Sequence, residues 1–218
     1  RVLASRLHHV VRIDKEDRSP LTDKAREQIL SNIRKDLKHC DAVIMEDYGK
    51  GLFKADLGVD IINECIKAKK PVFVDPSRST KANTYKGATL LKPNMDEARI
   101  LSGVETDNEH MLYECGNKLM KDLSLEHLVI TRGKEGMTVF AKGSEPKTIP
   151  TFALEVFDVS GAGDTVIACL ALARSAGFNI YESAFFANSA AAIVVGKVGT
   201  SVVTPSEVME FLREHHIK

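Results

Sequence analysis

Val72-Phe73-Val74-Asp75-Pro76-Ser77 is a three-residue apolar run cut off by an acid, a proline and a serine. Three more runs have this form. Ala42-Val43-Ile44-Met45 leads into Glu46-Asp47-Tyr48-Gly49, residues 88–91 into Lys92-Pro93-Asn94, and Leu128-Val129-Ile130 into Thr131-Arg132-Gly133. Apolarity that is continuous rather than alternating suits parallel strands covered on both faces. Between the runs, Leu57, Ile61, Ile62, Cys65 and Ile66 fall at helical spacing, as do Ala98, Ile100 and Leu101, and then Met111, Cys115, Leu119 and Met120. Strands alternating with helices predict βαβ units and a largely parallel, doubly wound, Rossmann-like α/β sheet.

The rhythm then changes. Met137-Thr138-Val139-Phe140, the turn residues Lys142-Gly143-Ser144 and the stretch 147–152 predict an antiparallel hairpin. Helices are expected over 162–176, over 181–195, and from Pro205 with Thr204 as cap. In sheets of this kind ligands bind beyond the carboxyl ends of the strands. The polar clusters 47–51, 75–78, 92–97 and 131–136 therefore converge on one rim. Asp47, Lys50, Asp75 and Arg78 are candidates there for contact with a nucleotide or sugar phosphate. Exposed loop charge is the competing reading for them, and surface placement is expected for Arg99 and Arg132.

Composition narrows the function classes. Thirty basic residues balance thirty acidic ones, which gives no electrostatic footprint for nucleic acid or an anionic membrane. The basic stretch 67–70 reads as a solvated helix end. Four scattered cysteines without CxxC spacing read as reduced thiols, hence a cytoplasmic protein. The adjacent pairs His8-His9 and His215-His216 cannot share one side of a helix or strand, so they carry little weight as metal ligands. The longest apolar stretch, 184–198, is broken by Asn188, Ser189 and Lys197 and does not read as a membrane span. The chain starts at Arg1 and enters β-like sequence at once, as a fragment would.

The chemistry centres on Phe157-Asp158-Val159-Ser160-Gly161-Ala162-Gly163-Asp164-Thr165. Glycines allow close backbone approach, and a helix start offers unpaired N–H groups and a positive dipole end, together an anion site. An aspartate there would repel phosphate, but it makes sense as a base that takes a proton from a substrate hydroxyl. The plainer alternative is that Asp164 or Ser160 caps the helix.

Residues 158–170 resemble the C-terminal signature of the ribokinase-like (PfkB) carbohydrate kinases. Cys169 departs from it, standing where that family usually has Ala or Gly. Lys92-Pro93-Asn94-Met95-Asp96-Glu97 resembles the family's Asn-x-x-Glu motif, and Thr131-Arg132-Gly133-Lys134-Glu135-Gly136 its Thr-x-Gly-x-x-Gly stretch. The likeness runs from end to end. Within the family it is nearest to the D-glycero-D-manno-heptose 7-phosphate kinases, on Val11-Arg12-Ile13-Asp14, 46–51, 160–167, 185–190 and 195–201.

The resemblance implies a ribokinase-like fold and ATP-dependent phosphorylation of the anomeric hydroxyl of a heptose 7-phosphate. It implies ATP and Mg²⁺, an optional K⁺, a small sugar-phosphate partner, and a homodimer of the full-length protein. It assigns Asp164 as base, with the amides of Gly161, Ala162 and Gly163 as the anion hole. Asn94 and Glu97 would organise Mg²⁺ through water, while Thr131, Gly133, Gly136 and Asn188 would line the nucleotide. Asp158 and Ser160, with carbonyls from 195–201, resemble the family's monovalent-cation site. The chain would then be the C-terminal two-thirds of a kinase domain, without the lid and early strands.

Several alternatives stay open. Asn94 and Glu97 would also suit a capping box, Gly136 a turn, and Asn188 a satisfied buried amide. Another ribokinase-family sugar or nucleoside kinase, or a non-catalytic fragment, shares the same motifs. A dinucleotide enzyme is disfavoured, because no GxGxxG follows the first strand.

Overall fold

The computed structural model describes residues 2–3, 9–11, 15–16, 19, 21–53, 56–153, 157–197, 199 and 201–214. Arg12, Ile13, Asp14, His8, His215 and His216, which figure in the sequence reading, lie outside the described residues. Two short strands, β1 (Val2–Leu3) and β2 (His9–Val11), pair antiparallel.

The main sheet has six strands in sequential order: β3 (Val43–Glu46), β4 (Val72–Asp75), β5 (Leu90–Leu91), β6 (His127–Thr131), β7 (Met137–Ala141) and β8 (Lys147–Ile149). The first four are parallel and the last two form the antiparallel hairpin. The continuous apolar runs explain the parallel part, because both faces of the sheet are covered. Val72, Val74, Leu91, Leu128 and Ile130 point into one core. Phe73, Leu90, Val129, Met137 and Val139 point into the other.

The helices divide accordingly. Right-handed crossovers that step in one direction along a sheet stay on one face. That face carries α1 (Asp23–Asp36), α2 (Leu57–Lys67), α3 (Met95–Ser102) and α4 (Glu109–Asp122). The opposite face carries α5 (Ala162–Ser175), α6 (Ile180–Val195) and α7 (Pro205–Glu214). Small residues let α5 and α6 pack closely: Ala171, Ala173, Ala184, Ala187 and Ala190 are all buried.

Some expectations need correction. Ile66 and Ile100 were placed on the core-facing stripes, but they are 53% and 45% exposed, each at the drifting edge of its helical face. The second hairpin strand ends at Ile149 rather than at 152. Helix α1 was not foreseen. Leu30 is its one buried residue, so it lacks a wide apolar stripe, and its start is marked by Thr22, whose Oγ1 accepts the Ala25 N–H at 3.2 Å. Among the described residues no helix is long and apolar enough to cross a membrane.

Candidate active site

Strand register builds the floor of the site. Glu46 and Asp75, the last residues of β3 and β4, are paired Cα partners in a parallel ladder. Side chains alternate along a strand, so Asp75 shares the face of Phe73, Lys92 that of Leu90, and Thr131 that of Val129. This is the face that α5 covers. Four functional groups from four neighbouring strand ends are thereby aimed at the first turn of one helix.

That first turn has Gly161 as its N-cap, in the left-handed region (φ 82°), with no side-chain capping bond. The cap alternative for Asp164 and Ser160 is therefore not what the fold uses. Thr165 Oγ1 donates to Gly161 O at 2.9 Å and tightens the turn. Ala162 N–H donates to Val159 O at 3.2 Å, which differs from its expected role as a free anion donor. Gly163 leaves open space where a side chain would crowd the site: a Cβ there would lie 3.2 Å from Lys92 Nζ.

Asp164, exposed in the first turn, meets Glu46 and Asp75, with a carboxylate oxygen of each within 4.8 Å of the others. Lys92, buried to 4% exposure, holds Asp75 Oδ2 at 2.8 Å. Burial drives the Asp75 carboxyl upward, and the Lys92 ammonium opposes the shift. Glu46 is pushed up to about 7 by burial first, then by the neighbouring Asp164 carboxylate and by the charge of Asp75. Neither Glu46 nor Lys92 carries a signal of its own in the sequence, although each stands at the end of an apolar run.

Beside this cluster, Thr131, Gly133, Gly136, Ala162, Gly163 and Asn188 line a mainly apolar cavity of about 420 Å³. Gly136 is required there. Its φ is +83°, and a Cβ would fall 2.1 Å from Ile149 O. Asn188 is buried and donates from Nδ2 to Pro150 O at 2.7 Å, so it both satisfies its amide and fixes the cavity wall. A larger hollow of about 820 Å³, with Asn117, Glu126 and Ala141 in its wall, opens at the opposite end of β6, away from these groups.

A helix start without a side-chain cap, a buried lysine close behind its Gly163, and an apolar cavity alongside suit the binding of a phosphorylated ligand. The sequence profile of the pfkB family of carbohydrate kinases matches residues 9–207. The chain belongs to the pfkB family of carbohydrate kinases. Among curated relatives, the bifunctional protein HldE of Wolinella succinogenes is 43% identical over 216 residues, covering 99% of this chain and 45% of that protein. HldE of Geobacter metallireducens is 42% identical over 99% of this chain and 44% of its own length. The chain thus spans about half the length of the curated relatives it matches. Arabidopsis thaliana ribokinase complexed with ribose and ATP superposes with a TM-score of 0.73 at 23% identity, over 89% of this chain and 60% of that one. Escherichia coli phosphofructokinase-2 in complex with potassium gives 0.75 at 14% identity, over 89% and 63%. The two solved structures establish the ribokinase-like fold.

The other family motifs take definite places. Asn94 and Glu97 form a full capping box on α3: Glu97 N–H donates to Asn94 Oδ1 at 3.0 Å, and Asn94 N–H donates to Glu97 Oε2 at 2.8 Å. Burial pushes Glu97 upward, and the Asn94 N–H holds it down. An Asn94–Thr131 bridge ties this box to the cavity. Asp158 Oδ1 accepts the Ser160 N–H at 2.8 Å. Val195 O takes N–H groups from Phe157 and Asp158 at 2.8 and 3.3 Å, so that carbonyl is turned to backbone rather than offered to a cation. Residues 198 and 200 of the same loop lie outside the described residues.

Of the weaker candidates, Asp47 is structural. It is buried and accepts from Tyr85 Oη (2.8 Å), Thr80 Oγ1 (2.6 Å) and Gly49 N–H (2.7 Å). Lys50 pairs with Glu16 at 3.0 Å, and Arg78 with Asp96 at 3.6 Å. Arg99 lies on the surface, 3.7 Å from Glu105. Arg132 departs from its expected surface place: it is 16% exposed and bonds Glu135 and Thr138.

Proposed function

We propose that this family member transfers the γ-phosphoryl group of ATP to the anomeric hydroxyl of D-glycero-D-manno-heptose 7-phosphate, with Asp164 as the base. The observation that carries the reading is the position of Asp164. It stands in the uncapped first turn of α5, between the carboxyl ends of β3 and β4 and the Gly136-walled cavity. The heptose substrate is supported by the 43% likeness to a bifunctional protein HldE over nearly the whole chain.

The chain's residues divide the work. The cavity between Thr131, Gly136 and Asn188 takes the nucleoside, and Gly163, in its wall at the start of α5, lies on the side of the phosphates. Lys92 Nζ lies only 3.2 Å from where a Cβ on Gly163 would stand, so a phosphoryl group held against this turn would have a cation close by. Asp164 takes the proton of the sugar hydroxyl while its oxygen bonds to the γ-phosphorus. The bond to the β–γ bridging oxygen breaks, and ADP leaves.

Asn94 and Glu97 are oxygen donors fixed by their own capping box, which suits a Mg²⁺ ion held through water. Such an ion would neutralise charge on the nucleotide phosphates. The same reading makes the chain the nucleotide and base side of a kinase domain. A homodimer and a cytoplasmic location belong to this reading as well.

The test is ADP release by the protein with heptose 7-phosphate, ribose, fructose 6-phosphate and adenosine. The heptose is expected to give the highest kcat/KM. Asp164→Asn is expected to keep ATP affinity and lower kcat by about 10²-fold or more. A mild loss removes Asp164 from the base role, and preference for another acceptor removes the heptose.

A further inference from the structure

Asp47 follows Glu46 in the chain but faces the other way. Glu46 brings its carboxylate to Asp75 and Asp164 on the α5 side of the sheet. Side chains alternate along a strand, and Asp47 is buried against Tyr85 on the opposite side. Its amide still extends the β3–β4 ladder, donating to Asp75 O at 2.9 Å. The Asp47 carboxylate thus lies behind the strand ends whose front bears Glu46 and Asp75.

Burying a carboxylate is costly unless hydrogen bonds replace its water. Here both oxygens are used. Oδ1 accepts the Gly49 N–H at 2.7 Å, and Oδ2 accepts the hydroxyls of Thr80 at 2.6 Å and Tyr85 at 2.8 Å. The Tyr85 oxygen, itself buried, also accepts the Ser77 N–H at 3.0 Å. A second tie joins the same segments: Ser79 Oγ donates to Gly49 O at 3.4 Å, and Ser77 Oγ meets Ser79 Oγ at 3.0 Å. Gly49 (φ +69°) is pressed so close that a Cβ would fall 2.4 Å from both serine oxygens. The loop after β3 and the loop after β4 are therefore joined around one buried anion.

These loops begin beside Asp164, on the side away from the nucleotide cavity. The cavity walls come from the β6–β7 turn, α5 and α6, and β5 separates that turn from β4. A hydroxyl presented to Asp164, with the phosphoryl group on the cavity side, brings the rest of its sugar over the β3 and β4 loops. We propose that Asp47 is a positioning residue for the acceptor: its network locks the two loops into one wall that holds the sugar phosphate in front of Asp164. Asp47 itself does not touch substrate. The inference rests on the kinase reading above.

The test separates acceptor from nucleotide. Tyr85→Phe keeps the ring and removes the hydroxyl that joins Ser77 to Asp47. Asp47→Asn removes the charge and turns one of two acceptor atoms into a donor. Thr80→Val removes a single hydroxyl at nearly constant shape. Each is expected to raise KM for heptose 7-phosphate about tenfold, while Kd for a non-hydrolysable ATP analogue changes by less than about twofold. If Asp47→Asn fails to fold, the other two variants carry the test. An unchanged sugar KM, or a loss of ATP affinity in step with it, overturns the proposal.

Hydrogen exchange reads the lock without turnover, and so apart from the kinase reading. In Tyr85→Phe the amides of 47–51 and 77–80 are expected to exchange at least about tenfold faster together, with those of 131–136 unchanged. Faster exchange in one loop alone, or in neither, shows that they are not one wall and overturns the proposal whatever the kinase assay gives. Joint loosening in a protein that turns over no sugar supports the lock and rejects the heptose reading.

Discussion

Lys92 Nζ lies 2.8 Å from Asp75 Oδ2, with the lysine side chain 4% exposed and the aspartate 16%. A lysine is seldom buried so deeply unless paired, and here the pair sits beneath the first turn of α5 where Gly163 leaves room. Removing one partner of a buried pair leaves the other charge unsolvated.

Lys92→Met is therefore expected to destabilise the protein by about 3 kcal/mol, while the double replacement Lys92→Met with Asp75→Leu recovers most of that loss. Urea unfolding of the two variants checks this. Equal losses in both would mean that packing, and not the stranded carboxylate, sets the effect.

The cavity wall gives a binding prediction. Gly136 adopts φ +83°, and a Cβ would stand 2.1 Å from Ile149 O and 2.6 Å from Pro150 C. Gly136→Ala must push the end of β8 away from the β6–β7 turn. Nucleotide affinity is expected to drop at least about tenfold, whereas Asp164→Asn leaves it intact. Calorimetric titration with a non-hydrolysable ATP analogue separates the two.

Helix α4 supplies a case in which local propensity and packing oppose each other. Gly→Ala inside a helix ordinarily gains about 1 kcal/mol. At Gly116, however, the new Cβ would lie 2.2 Å from Phe140 Cζ, and the ring is 1% exposed with Tyr113 edge-on to it at 6.2 Å. Overpacking wins, and Gly116→Ala is expected to lose about 1–3 kcal/mol. Adding Phe140→Leu should restore part of it in the same denaturation assay.

Two groups give stability opposite slopes with pH. Glu46, raised to about 7, binds more proton in the folded than in the unfolded state between its ordinary 4.5 and 7. Its stabilisation is present at the acid side and is lost as pH rises through 7. His127, lowered to about 4 by burial and then by Arg174, binds less proton when folded, so its contribution is present above 6.5 and lost as pH falls toward 4. Thermal melts should show Glu46→Gln gaining Tm relative to the unmodified protein from pH 5 to 8, and His127→Leu flattening the acid limb. A constant Tm offset across that range would contradict both assignments.

Much of this fold could be read from residues alone. The four apolar runs gave β3 to β6, because a strand covered on both faces must be apolar without alternation. The small-residue run after Gly161 gave α5, and Thr204 with Pro205 gave α7. Helix α1 escaped because one buried leucine makes no stripe. Ile66 and Ile100 were placed inward because helical spacing defines a face, but not how much of that face the neighbours cover.

The site divides along the same line. The helix start at Gly161, the Asn94–Glu97 capping box and the turn at Gly136 were legible because each is a local pattern of a few adjacent residues. Asp47 was misplaced among the ligand candidates, since only folding brings Tyr85 and Thr80 onto its carboxylate. Glu46 and Lys92 carried no signal beyond their strand-end positions. Their roles come from the parallel register of β3, β4 and β5, and from α5 closing over that rim. Local sequence sets which residues can cap, turn or bind phosphate. That Glu46, Asp75 and Asp164 bring carboxylate oxygens within 4.8 Å of one another is a matter of distances between distant segments, and only the packed sheet and helix fix it.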